Sequence, residues 1–356
     1  MARLRILIGV LNWGLGHATR CQPIVEECCR KGHEVHLAAD GLAAMVLEKN
    51  NPGLQVHRLA PLEVKYGAWF WLKLIAQSTR LFTWLWNDRK ETRRLQHLYQ
   101  FDLILSDSRP ACRIPGVPGI LIINQPSPEV PGRWVRWLTH RMLWTIFKRF
   151  NEIWIPDLPG ENNLSGKLIH LPARFNKTFV GFLSRIKPPS GSMDPIPGRI
   201  LAILSGPEPV RTEFEQELTR QLAGHDYIII GGRPDRQNHS DRYFSYMDSV
   251  SLAVEITKAE YIICRSGYSS LMDLAQFEKK LILVPTPGQS EQEYLAERWK
   301  AKGMAVIWDM NTQSLERILD EAGQSLPFHL ENESGLLRSA IQKWEEYCQK
   351  KSNLHT

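Results

Sequence analysis

Residues 260–294, EYIICRSGYSSLMDLAQFEKKLILVPTPGQSEQEY, restrict the fold of this chain more than any other stretch. Two short apolar runs, 260–264 and 281–284, are rich in β-branched residues. Arg265, Ser266 and Gly267 close the first, and Pro285, Pro287 and Gly288 close the second. Between them, Leu271, Met272, Leu274 and Ala275 fall on one side of a helix over 269–277. Strand, helix and strand predict a parallel βαβ unit, and such sheets take ligands at the carboxyl ends of their strands. Both turns sit at such ends. A helix starting after Gly267 would aim unpaired N–H groups and partial positive charge at an anion such as a diphosphate. Asp273, in the same helix, could accept hydrogen bonds from ribose hydroxyls. The plainer reading is that any buried βαβ unit needs glycine turns of this kind.

The same alternation runs through the rest of the chain. Residues 5–10, RILIGV, predict a buried strand, 11–20 its turn and the start of a helix, and 33–39 a second strand. Strands are expected at 54–59, 101–106, 119–124 and 153–156, and another around 168–171. Residues 187–197, KPPSGSMDPIP, are rich in Pro, Ser and Gly and mark a boundary. Beyond it the pattern restarts: strand 199–204, helix 212–222, strand 227–230, helix 251–259. The expected division is an N-terminal domain over 1–186, a linker over 187–198, a C-terminal domain over 199–330 and a last helix within 331–356. The fold class is α/β, with two doubly wound halves.

Arg265, Ser266 and Gly267, the acid at Asp273, and Val284–Pro285 followed by Gln292, Glu293 and Tyr294 resemble the C-terminal domain of glycosyltransferase family 28. That is the family of the peptidoglycan N-acetylglucosaminyltransferase, and PTPGQSEQEYLA is more similar to a bacterial branch distinct from that enzyme. The resemblance implies a GT-B fold, two Rossmann-like domains facing a cleft, with the last helix returning to the first domain. It implies an inverting transfer of a hexosyl or N-acetylhexosaminyl group from a nucleotide-sugar, by family UDP-linked, to a hydroxyl acceptor that is lipid-linked or part of a cell-envelope glycan. On this resemblance the donor contacts are Ser205, Gly206, Arg211, Arg265, Ser266, Gly267, Ser269, Asp273, Gln289, Gln292 and Glu293. The family carries Glu at the place of Asp273, and a Gln pair where this chain has Gln292 and Glu293.

The first turn, LNWGLGHATR, has three readings. Gly14, Gly16 and Asp40 match part of a dinucleotide fingerprint, but its third glycine would fall at Thr19. His17 can instead serve as a neutral base that takes the proton of an attacking hydroxyl, as the family places a His after its glycine-rich loop. In the third reading His17 only begins a helix. Asp107, at the end of a strand on the same side, either orients His17 or forms a turn. Asn12, Gly14, Gly16 and Asn124 are the acceptor candidates.

Two stretches combine tryptophan with basic residues: 65–94, and 132–154, GRWVRWLTHRMLWTIFKRFNEIW. Such helices either lie in an anionic membrane interface or pack into the first domain. No run reaches about 18 apolar residues, so no spanning helix is expected. MARLRILIGV lacks the long apolar region of a signal peptide. The expected location is therefore cytoplasmic, with peripheral contact at the inner face of the plasma membrane. The net charge of +6 leaves nucleic acid open in principle, but no motif supports it. Six cysteines contain no CxxC pair, and no acid pair suits a metal-bound diphosphate, so neither a metal nor a cofactor is expected. A nucleotide-sugar epimerase or hydrolase, or a non-catalytic nucleotide-sugar binder serving another transferase, are the alternatives on such a fold.

Overall fold

A computed structural model describes residues 3–12, 15–61, 78–130, 132–191, 193–206, 208–237, 239–333 and 335–353. The chain divides into two compact units, one formed by Met1–Leu183 with Glu333–Thr356 and the other by Ser184–Asn332.

In the first unit the strands are β1 (Arg5–Val10), β2 (Glu34–Ala39), β3 (Gln55–Arg58), β4 (Leu103–Asp107), β5 (Gly119–Ile122), β6 (Glu152–Ile155) and β7 (Lys177–Phe179). They form one sheet in the order β3-β2-β1-β4-β5-β6-β7, and every pairing is parallel. A parallel sheet covered on both faces needs strands apolar along their whole length. Ile6, Leu7, Ile8 and Val10 supply this in β1, and Ile104 and Leu105 in β4. The helices are α1 (Leu15–Arg30), α2 (Gly41–Asn50), α3 (Ser78–Tyr99) and α4 (Arg133–Phe147). The strand order reverses between β1 and β4, where Val10 pairs with Asp107, and that is where such sheets bind ligands.

The expected strand around 168–171 does not form; Gly166–Ile169 is a short 3-10 turn. The cause is Asp157, whose carboxylate accepts the N–H groups of Leu158, Leu164 and Ser165 and closes the chain into a loop there. Leu168 and Ile169 are buried from that turn. The seventh strand comes later, as Lys177–Phe179, after the Asn176 carbonyl accepts the N–H of Ile153 at 2.9 Å.

The second unit contains β8 (Ile200–Ile203), α5 (Val210–Gln221), β9 (Tyr227–Ile230), the hairpin β10 (His239–Ser240) and β11 (Tyr243–Phe244), α6 (Ser249–Lys258), β12 (Tyr261–Cys264), α7 (Tyr268–Leu274), β13 (Lys280–Leu283), α8 (Ser290–Ala301), β14 (Val306–Ile307) and α9 (Leu315–Gln324). The order is β10-β11-β9-β8-β12-β13-β14, and among these strands only the hairpin pairs antiparallel. Here the reversal lies between β8 and β12. The division falls at Ser184, ahead of the proline-rich 187–197, and Ile196 donates its N–H to the Lys258 carbonyl at 2.8 Å.

The last helix, α10 (Leu336–Asn353), belongs to the first unit. Its Glu345 is buried and accepts from Lys31 at 2.5 Å and His33 at 2.6 Å. Trp344 and Lys343 both bond the carboxylate of Glu152 in β6.

Candidate functional site

At the reversal point of the first sheet, α1 begins directly after β1 and puts His17 in its first turn. His17 Nδ1 lies 2.8 Å from Asp107 Oδ2, at the end of β4. Arg20, one turn further along the helix, reaches the same carboxylate: its Nε donates to Oδ1 at 2.9 Å, and its NH2 group bonds that oxygen as well. Arg20 also donates to Asn124 Oδ1 at 3.1 Å and Ser108 Oγ at 3.2 Å. Asp107 and Arg20 are fully buried, whereas the His17 side chain keeps 16% of its surface open. Ser108 has φ +55°, an uncommon conformation for a residue other than glycine. It sends Arg109 elsewhere, to Asp40 at 2.6 Å and Asp88 at 2.7 Å.

Burial lowers the His17 pKa, and the Arg20 charge lowers it further, outweighing the pull of Asp107. Burial alone would raise Asp107, but Arg20 and His17 more than offset it and hold the carboxyl below its ordinary value. The result is a neutral imidazole against an ionised carboxylate.

The other residues picked out in this unit lie close by. Asn124 binds Arg20. Asn12 is engaged with the start of α2: it donates to Asp40 Oδ2 at 3.3 Å and accepts the Ala43 N–H at 3.2 Å. The carbonyl of Gly16 accepts the Thr19 hydroxyl. Gly14 lies outside the described residues, as does the 65–77 part of the first tryptophan-rich stretch. Asp40, which a dinucleotide would need at the end of β2, is buried and paired with Arg109.

In the second unit several expected donor contacts turn inward. Arg211 is buried, bonded to Glu208 at 2.9 Å, Glu215 at 2.5 Å and the Gly231 carbonyl at 3.0 Å, so its charge is already matched. Glu208, despite some burial, is pulled down to about 2 by Thr212 and Arg211. Arg265 stacks on the Phe214 ring at 3.9 Å and donates to the Val284 carbonyl at 3.0 Å. Burial lowers Arg265 to about 10. It clamps β12 against the segment after β13. Ser266 is buried as well, and its hydroxyl donates to the Gln292 carbonyl at 2.8 Å.

Gln292 accepts the Thr286 N–H at 2.9 Å and donates to Gln289 at 2.7 Å, while Glu293 accepts the Gly288 N–H at 2.8 Å. These bonds fix the proline–glycine loop onto the start of α8. Ser205 and Gly206 follow β8, with Gly206 exposed at φ +109°. Gly267 and Ser269 flank the start of α7, both half-buried.

Asp273 is half-buried, and its Oδ1 accepts the Ser184 hydroxyl at 2.6 Å. Its Oδ2 has no hydrogen bond among the described residues. Burial raises its carboxyl to about 6, against the opposing effects of Ser184 and Arg185. Arg185, whose charge acts on Asp273, donates to the Tyr246 hydroxyl at 3.0 Å. Ser184, Arg185, Tyr246 and Arg20 all escape a reading of the sequence. Arg20 has a signal there, three residues beyond His17 on one helix face; the others have none, because Ser184 and Arg185 act on Asp273 from 88 or more residues away and Tyr246 meets Arg185 from 61 away.

Among the described residues, no group of three or more His, Cys, Asp or Glu is placed to hold a metal, and no helix is long and apolar enough to cross a membrane.

Residues 224–338 match the glycosyltransferase family 28 C-terminal domain. Two curated proteins named uncharacterized glycosyltransferase are similar over most of their length. The one from Methanosarcina mazei is 25% identical over 317 residues, 82% of each chain, and the one from Methanosarcina acetivorans 25% over 316 residues, again 82% of each. Among solved structures, the kitacinnamycin glycosyltransferase has a TM-score of 0.60 at 13% identity, covering 98% of this chain and 96% of its own. SnogD from Streptomyces nogalater has a TM-score of 0.56 at 16% identity with full coverage of both chains. The glycosyltransferase VinC, solved in complex with DTDP, has a TM-score of 0.57 at 13% identity, covering 97% and 95%. The fold is GT-B, two Rossmann-like halves built from parallel sheets.

Proposed function

We propose that this GT-B glycosyltransferase moves a sugar, with inversion, from a pyrimidine nucleoside diphosphate donor held by the second unit to a hydroxyl acceptor activated by the first. The observation that carries the reading is the bond from His17 Nδ1 to Asp107. With Nδ1 committed there, Nε2 is the lone pair left for an acceptor hydroxyl. The acceptor oxygen forms a bond to the anomeric carbon, the carbon–oxygen bond to the diphosphate breaks, and the hydroxyl proton goes to Nε2. One displacement inverts the anomeric centre.

On the donor side, the backbone N–H groups of the Ser205–Gly206 and Gly267 turns face the leaving diphosphate. Asp273 Oδ2 accepts from the ribose hydroxyls, while Ser184 holds Oδ1. Uridine follows from the family 28 resemblance, and the DTDP complex of VinC widens the expectation to pyrimidine nucleotides. Glu293, where the family has Gln, favours a donor sugar that presents hydrogen-bond donors to it.

The acceptor is lipid-linked, presented at an anionic membrane. Helix α4 supports this: Trp134 is 81% exposed and Trp137 52%, alongside Leu138 and Met142. Arg133, Arg136, Arg141, Lys148 and Arg149 surround them, and residues 130–151 contain no acid. Tryptophan and arginine on one exposed helix suit a headgroup layer.

An epimerase or hydrolase would need further acids around His17; among the described residues of the first unit, the acid bonded to it is Asp107, itself paired with Arg20. The deciding experiment is thermal shift with UDP, dTDP and GDP, alone and as sugar conjugates. Stabilisation by UDP or dTDP over GDP is expected; no shift with any of them would overturn the donor assignment.

A further inference from the structure

Arg20 is a fully buried cation with no place in the transfer step itself, and its bonds are unusually ordered. Its NH2 nitrogen has two hydrogens. One goes to Asp107 Oδ1 and the other to Ser108 Oγ at 3.2 Å. The same nitrogen lies 2.9 Å from His17 Nδ1, which brings the guanidinium against the imidazole. The ionised carboxylate of Asp107 can only accept, so Nδ1 carries a hydrogen and donates it to Oδ2 at 2.8 Å. Each oxygen of one carboxylate is thus taken by a different partner, His17 on Oδ2 and Arg20 on Oδ1.

We propose that Arg20 is a positioning residue for the reaction set out above: it locks Asp107 so that His17 carries its hydrogen on Nδ1, and it cancels the carboxylate's charge so that Nε2 meets the acceptor unprotonated. The inference rests on the assignment of His17 as the base. An imidazole paired with a lone carboxylate becomes more basic and holds a proton longer. The guanidinium removes that bias. Nε2 takes the acceptor proton as the new glycosidic bond forms, and releases it to water when the product leaves.

Within the first unit, among the described residues, few charged and titratable groups face His17. Arg20 and Cys21 come from α1, and Asp107 from β4; Cys21 is buried and held as a neutral thiol, its pKa raised well above the ordinary value by burial first. Asn124, beyond β5, is uncharged. The neighbouring Arg109 is matched by Asp40 and Asp88. Arg20 is thus the cation in contact with the imidazole. The direction of the His17 shift agrees, with Arg20 named after burial among its causes.

The test is a pH titration of the imidazole nitrogens by 15N NMR on the full-length protein, with His17 assigned by its loss in His17→Gln. In the wild type at pH 7, Nδ1 is expected to carry hydrogen and Nε2 to lack it, with a midpoint below about 6.5. In Arg20→Gln the midpoint should rise, by about tenfold in acid constant. Arg20→Lys keeps the charge and should stay near wild type. A folded Arg20→Gln whose midpoint matches wild type overturns the proposal, and so does a wild-type midpoint above about 6.5 or hydrogen found on Nε2. Should Arg20→Gln fail to fold, the wild-type tautomer and midpoint decide alone. No donor or acceptor enters the measurement. Failure of the transfer reading shows separately, as full turnover in His17→Ala.

Discussion

The two units reverse their strand order in the same way, between β1 and β4 and between β8 and β12, yet they furnish those points with opposite materials. In the first unit, buried charges converge on one half-open imidazole: Arg20 and Asp107 are out of contact with water and His17 is not. In the second, the polar side chains nearest the turn point inward. Arg265 lies on Phe214, Ser266 bonds Gln292 and Arg211 is matched by two glutamates. Ser205, Ser269, Gln289 and Asp273 stay partly open there, along with the backbone of Gly206 and Gly267. The difference suits the two tasks proposed for the units. Moving a proton needs one side chain whose basicity is set by its neighbours. Gripping a diphosphate needs amides held still, and side chains that brace loops from within achieve that.

The comparison breaks most visibly at His17. Turnover in His17→Ala should fall on the order of a hundredfold or more, with nucleotide affinity by calorimetry unchanged. A matching collapse of affinity would mean the two sites do not divide the work. Asp273→Asn should do the reverse and weaken nucleotide binding about tenfold, leaving the fold intact. Because the Asp273 carboxyl sits near 6, it is ionised at pH 7.5 and largely protonated at pH 5. Wild-type nucleotide affinity should therefore fall about tenfold across that interval, and Asp273→Asn should flatten the dependence.

Arg265→Ala sharpens the contrast between bracing and binding. Losing the Phe214 stack and the bond to the Val284 carbonyl should cost about 2 kcal/mol in urea unfolding. A direct diphosphate contact would instead lower nucleotide affinity while leaving stability unchanged. The smallest effect concerns the surface. Among the described residues every exposed Phe and Trp, namely Phe82, Trp86, Trp134 and Trp137, lies in the first unit. Trp134→Ala with Trp137→Ala should reduce flotation with anionic vesicles at low salt several-fold, about 1–2 kcal/mol. Equal flotation of the double variant would remove α4 from the membrane proposal.

Much of this architecture is legible in the residues. RILIGV, YIII and YIIC are short apolar runs that suit only a covered parallel sheet, and the strand 227–230 falls where the sequence places it. His17 and Asp107 stand out because both lie at carboxyl ends of such strands. The strand expected near 168 fails for a different reason. Its apolar residues are buried from a turn that Asp157 closes, and no local pattern announces which carboxylate will capture which amides. Arg211, Arg265 and Ser266 are recognisable by residue type and position, but their direction is not readable.

Residue order alone determined two doubly wound halves, the places of their turns and the acid and imidazole that stand there, because strand and helix periodicities are local and the carboxyl ends follow from chain direction. Tertiary structure decided which polar side chains stay open and which face the core. That choice depends on partners far along the chain: Phe214 under Arg265, Ser184 on Asp273, and Asp107 shared between His17 and an arginine one helical turn away. Such pairings arise only when the sheets bring those groups within hydrogen-bond reach and burial makes an unmatched charge costly.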